Sequence, residues 1–175
     1  MGGAVGTYFT ANHAGQVKKL ALIAPAGFPV EIGTLAEVIK LPIAGDWLMD
    51  VMGAGTMIAE MSKAENQGAA VPDILARYKL QMSYKGYLPA LLSTLRHFPI
   101  NNMSAAYRSV GDMGTPVLAL WGSNDTIVPA ENAERLSLLV PQTSVRILEG
   151  GTHAITYSRA EEVSSALTAF FSPDE

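Results

Sequence analysis

Three short stretches of the 175-residue chain are apolar at nearly every position rather than at every second one: VKKLALIAP (Val17 to Pro25), PVLALWG (Pro116 to Gly122) and SVRILEG (Ser144 to Gly150). Runs of that kind suit strands buried on both faces, as in a parallel sheet covered by helices. Between the second and third, PAENAERLSLLVPQ puts Ala133, Leu136, Leu139 and Val140 at helical spacing, so the order strand, helix, strand predicts a right-handed crossover. Past the third run, SRAEEVSSALTAFF predicts a closing helix with Ser158 as its N-cap and Val163, Leu167, Phe170 and Phe171 on its buried side.

The gap between the first and second runs, from about Gly27 to about Gly114, is far longer than a crossover needs. It holds several helical patterns: AGDWLMDVMGAGTMIAEMSKA, VPDILARYKLQMSY, YLPALLSTLRH and a shorter one near NNMSAAYRSV. The pattern therefore divides the chain into an α/β core, residues 1–27 and 114–175, and a helical cap or lid, residues 28–113. Met49, Met52, Met57, Met61, Met82 and Met103 crowd that insertion. Such side chains either fill the small core of a cap or line an adaptable apolar pocket.

Composition removes several function classes. With 49% apolar residues the chain has enough apolar material for one core. Its 16 acidic and 12 basic residues give a net charge of −4, with the basic residues scattered, so neither nucleic acid nor an anionic membrane is an expected partner. The apolar stretch LALIAPAGFPV is broken by two prolines and is too short to span a bilayer. There is no cysteine, which excludes disulfides and thiolate metal sites and suits a reducing, cytoplasmic compartment. No His/Asp/Glu group has metal-ligand spacing, and no metal or other cofactor is expected.

Chemistry is expected at the carboxyl ends of the strands, where ligands sit in open parallel sheets. The second run leads into WGSNDTIVP, placing Asp125 just beyond it, and the third into EGGTHAITY, placing His153 in the neighbouring loop. An aspartate and a histidine so presented can form the orienting and proton-carrying pair of a nucleophilic triad. Taken singly, each has an ordinary alternative: Asp125 as a turn residue bonding nearby N–H groups, His153 as a solvated loop residue. His13 and His97 are weaker candidates, and Asp112 stands at the wrong end of its strand. Trp47 and Trp121 read as core rather than site.

WGSNDTIVP resembles the G-x-x-D-x-x-V-P segment that carries the acid of α/β-hydrolases, and GGTHAI resembles the segment that carries their histidine. The opening MGGAVG resembles the end of that family's G-x-S-M-G-G nucleophile elbow, with Val17 to Gly27 matching the strand that follows. The fold class implied is α/β, the C-terminal part of an α/β-hydrolase fold, with three parallel strands, flanking helices and a helical cap insertion. The resemblance implies a serine hydrolase acting on small apolar esters or acyl groups, esterase- or lipase-like. His153 would be its base and Asp125 the orienting acid. The serine would stand immediately before Met1, whose backbone N–H would be one oxyanion donor in the full-length parent. The tight elbow would account for Gly2 and Gly3.

The chain as given would then be a truncated, inactive portion, with an exposed sheet edge prone to self-association or in need of a complementary fragment. Ser123 lacks elbow flanks and reads as part of the turn before Asp125. Ser83, Ser93 and Ser104 also lack an elbow. Two alternatives remain: other chemistry within the family (C–C bond, epoxide or haloalkane hydrolysis), or a noncatalytic fragment binding an apolar ligand or a partner.

Overall fold

A computed structural model of the chain describes residues 1–29, 38–68 and 71–172. Each apolar run contains a strand: β1 (Leu20–Ile23), β2 (Val117–Gly122) and β3 (Thr143–Leu148). They form one parallel sheet in the order β1-β2-β3, with Leu20 opposite Val117 and Val117 opposite Thr143. Burial on both faces, expected of all three, holds throughout only β2, which has a strand on either side. Ser144 and Arg146 of β3 are exposed and Ile147 is 44% exposed, because this strand has only one neighbour among the described residues.

Helices cover the sheet from both sides. They are α1 (Gly2–Asn12) ahead of β1, α7 (Asn132–Leu139) between β2 and β3, and α8 (Ile155–Ser158) and α9 (Ala160–Phe171) at the end. The long insertion contributes α2 (Ala44–Leu48), a π-helical turn (Met49–Gly53), α3 (Ala54–Met61), a 3-10 turn (Ala64–Asn66), α4 (Ile74–Ser83), α5 (Tyr87–His97) and α6 (Ser104–Asp112). Of the expected cap, residues 30–37 and 69–70 lie outside the described residues.

Alternation along β2 makes two cores. Val117, Ala119 and Trp121 join Ala4 of α1, Tyr107 and Val110 of α6 and Leu136 of α7 on one face. Leu118 and Leu120 join Ile155 of α8 and Val163 and Ala166 of α9 on the other. Burying each of these leucines contributes roughly 1.5–3 kcal/mol, so the central strand holds both helical layers.

Several local expectations need correcting. Ser158 does not cap the closing helix: its hydroxyl donates to the Ala154 carbonyl at 3.2 Å within α8, and Arg159 takes the N-cap position of α9. The buried stripe of α9 is Val163, Ala166, Leu167 and Phe170. Phe171, a further 100° around the helix and its last residue, is 53% exposed. Met49 and Met103 are buried, Met103 in the core beside Tyr107, whereas Met52 is exposed. Trp121 is core as expected, but Trp47 is 63% exposed.

Candidate active site

The carboxyl ends of β2 and β3 are laced together by their own backbones. Ser123 N–H donates to the Leu148 carbonyl at 3.0 Å and Asn124 N–H to that of Gly151 at 2.8 Å. The Ser123 hydroxyl accepts the Gly150 N–H at 2.8 Å, so it shapes the turn, as the sequence suggested. Gly122 approaches Gly151 so closely that an added Cβ would overlap the Gly151 carbonyl. Gly122→Ala should therefore cost ~3 kcal/mol, the upper end for overpacking, because backbone rather than a side-chain tip must move. A lowered urea midpoint at unchanged m would show this, and a shift worth under about 0.5 kcal/mol would refute it.

This lacing brings Asp125 and His153 together. Asp125 Oδ1 accepts the N–H groups of Ile127 and Val128 at 2.9 and 2.8 Å, while Oδ2 lies 2.8 Å from His153 Nδ1. The two contacts are compatible, one oxygen bonding the turn and the other facing the histidine. Its side chain is wholly buried, whereas that of His153 is 36% exposed. A carboxylate only accepts hydrogen bonds, so the proton on Nδ1 points at Asp125 and the neutral ring keeps its lone pair on Nε2. A pair so built can hold one tautomer, present Nε2 as a base and stabilise the imidazolium that results.

The other sequence candidates lie apart. His13 is exposed and stacks on Phe9 with ring centroids 4.4 Å apart, and His97 ends α5. Asp112 ends α6, ahead of β2. The Ser83 hydroxyl is spent on the Leu80 carbonyl at 2.7 Å. Among the described residues, no group of three or more His, Cys, Asp or Glu could hold a metal, and no helix is long and apolar enough to cross a membrane.

Met1 precedes α1 as its N-cap, its carbonyl accepting the Ala4 N–H at 3.0 Å. Burial holds its terminal amine below the usual range. Of the two glycines behind it, only Gly3 is demanded by packing: a Cβ there would lie 2.9 Å from Pro25 Cβ, whereas one on Gly2 would meet nothing within 4 Å among the described residues. Because Pro25 follows β1, that contact sets the start of α1 at the carboxyl edge of the sheet, the edge that carries Asp125 and His153. α1 turns Ala4, Thr7 and Thr10 inward and leaves Val5, Tyr8 and Phe9 between 46% and 52% exposed.

Two residues by the site carried no sequence signal. Thr152 donates its hydroxyl to Asn66 Oδ1 at 2.7 Å, a bond across 86 residues between the histidine loop and the insertion.

Comparison with known proteins agrees with this architecture. A family model described as serine aminopeptidase, S33, matches residues 1–159. The monoacylglycerol lipase abhd6-A of Xenopus laevis is 26% identical over 184 residues, taking in 98% of this chain and 52% of that protein. Among solved structures, a thermophilic esterase from Thermogutta terrifontis superposes with a TM-score of 0.69 at 18% identity, over 96% of this chain and 60% of that one. A 2-hydroxy-6-oxo-6-phenylhexa-2,4-dienoate hydrolase from Rhodococcus sp. strain RHA1 gives 0.72 at 16% identity, over 98% and 61%. The chain thus spans about half the length of the curated relative and about three fifths of these two structures.

Proposed function

Because the chain belongs to the serine aminopeptidase, S33, family of α/β-hydrolases, we propose that residues 1–175 carry the acid and the base of a serine hydrolase of small apolar esters. The observation that carries the proposal is the 2.8 Å contact of His153 Nδ1 with a buried carboxylate whose other oxygen is fixed by two backbone N–H groups. The relatives named as a monoacylglycerol lipase and an esterase support an ester over other acyl substrates.

In this reading a serine outside these residues, immediately before Met1, attacks the acyl carbon while His153 Nε2 takes its proton. The imidazolium gives that proton to the departing alkoxide, which leaves as the alcohol. Water then attacks the acyl-serine, its proton again passing through His153, and the acid leaves as serine is restored. Asp125 holds the ring and stabilises its charged form throughout. The Met1 backbone N–H, at the positive end of α1, contributes to the oxyanion hole when a peptide bond precedes it. Residues 28–113 act as the cap.

The position of the start of α1 and the greater length of the relatives support a serine outside the chain. So does the histidine itself: no described residue donates a hydroxyl to His153 Nε2. The exposed face of α1 and the edge of β1, which has no partner strand among the described residues, would be covered by the rest of such a fold, and isolated copies would associate through them. The 175-residue chain alone should hydrolyse 4-nitrophenyl butyrate no faster than buffer and take up no stoichiometric fluorophosphonate. Stoichiometric labelling of that chain would place the nucleophile inside it and overturn this part of the reading.

A further inference from the structure

Thr152 and Asn66 are both buried, at 9% and 5% exposure, and neither is used in the chemistry above. The Asn66 amide nitrogen donates to the Glu60 carbonyl at 2.8 Å and to Glu60 Oε1 at 3.2 Å, both on α3. Turning the amide over would set its oxygen against two acceptors, so Oδ1 is the atom that must face Thr152. The threonine hydroxyl therefore donates to Asn66 at 2.7 Å, and its oxygen accepts the Ala154 N–H at 3.2 Å. Ala154 in turn starts α8, its carbonyl taking the N–H groups of Tyr157 and Ser158 at 2.8 and 3.0 Å. His153 sits between the two residues thus held, and the 3-10 turn carrying Asn66 packs against α8 as well.

We propose that Asn66 is a positioning residue for His153: through Thr152 it ties the helical insertion to the histidine loop, so that a seated insertion adds to the Asp125 contact in holding the base in place. The proposal rests on the reading of His153 as the base, but the tie itself is measurable without catalysis. A displaced insertion would leave the Thr152 hydroxyl proton and Asn66 Oδ1 without each other and loosen the residues on either side of the imidazole. In this way the seating of the insertion and the alignment of the base are coupled.

Hydrogen exchange by mass spectrometry on the purified protein tests this, since it does not require a monomer. Thr152→Val keeps the shape but removes both the donor to Asn66 and the acceptor of the Ala154 N–H. Asn66→Ala removes the acceptor of the Thr152 hydroxyl and the bonds to Glu60 but leaves the histidine loop chemically unchanged, so its effect on 150–158 is the decisive one. Each should speed exchange about tenfold in residues 60–68 and in 150–158 alike, the factor that goes with one lost net hydrogen bond, while residues 131–140 stay as before. Thr152→Ser, which keeps the hydroxyl, should restore the original rates. In ester hydrolysis by the complete enzyme, Thr152→Val should lower kcat by about the same factor at nearly constant KM. Should Asn66→Ala or Thr152→Val loosen 60–68 and leave 150–158 at the original rate, the proposal falls and the assignment of His153 stands. Should exchange couple as expected while His153→Ala leaves ester hydrolysis by the complete enzyme unchanged, the assignment falls instead.

Discussion

In the protein that carries its serine, His153→Ala should lower kcat for a short-chain ester by ~10⁴–10⁶-fold, with KM nearly unchanged. The size follows from the role: the imidazole takes the serine's proton and returns it to the leaving group. Asp125→Asn should cost ~10⁴-fold for a different reason. The amide can still accept from Ile127 and Val128 with its oxygen, but it then turns N–H toward His153 Nδ1. The ring must put its proton on Nε2 and can no longer serve as a base. The two losses should not add, because residues acting as one unit fail together. His13→Ala and His97→Ala should leave the rate unchanged, both side chains being exposed and away from the site. A His153→Ala variant retaining more than a tenth of the activity would remove His153 from the mechanism.

The second large effect is on stability. Trp121 is fully buried at the end of β2, in the core it shares with α6 and α7. Trp121→Ala should cost ~3–5 kcal/mol, the range for truncating a large aromatic where the surroundings cannot collapse. Its indole N–H has no hydrogen-bond partner among the described residues, so Trp121→Phe gives up some packing and also removes a buried unpaired donor. The phenylalanine variant should therefore lie within ~1.5 kcal/mol of the original. Equal losses for both in urea unfolding would show that the N–H is bonded after all.

What could be read from the sequence was what local pattern encodes. The three continuous apolar runs became three parallel strands because a strand's environment is written in its own residues, most completely for the central β2. That Asp125 and His153 would meet was legible because each closes such a run, and neighbouring strands bring their ends together. Features that depend on distant contacts were not. The half-exposed β3 reflects what lies beside it rather than what it is made of. Ser158 looked like a cap until α8 claimed its hydroxyl. Gly2 and Gly3 are identical in sequence, yet only Gly3 meets Pro25. Asn66 sits in KAENQG, where nothing marks it, and its partner is 86 residues away.

The central claim is that Asp125 and His153 serve a serine outside residues 1–175. The most direct test is to treat the protein, as its natural source makes it, with a fluorophosphonate and to locate the modified residue by peptide sequencing. The account predicts one stoichiometric label, on a serine in a peptide reading directly into Met-Gly-Gly, and its loss in the His153→Ala variant. A label on Ser123 or any other serine of the 175 residues, or no label on a protein that hydrolyses esters, would contradict it.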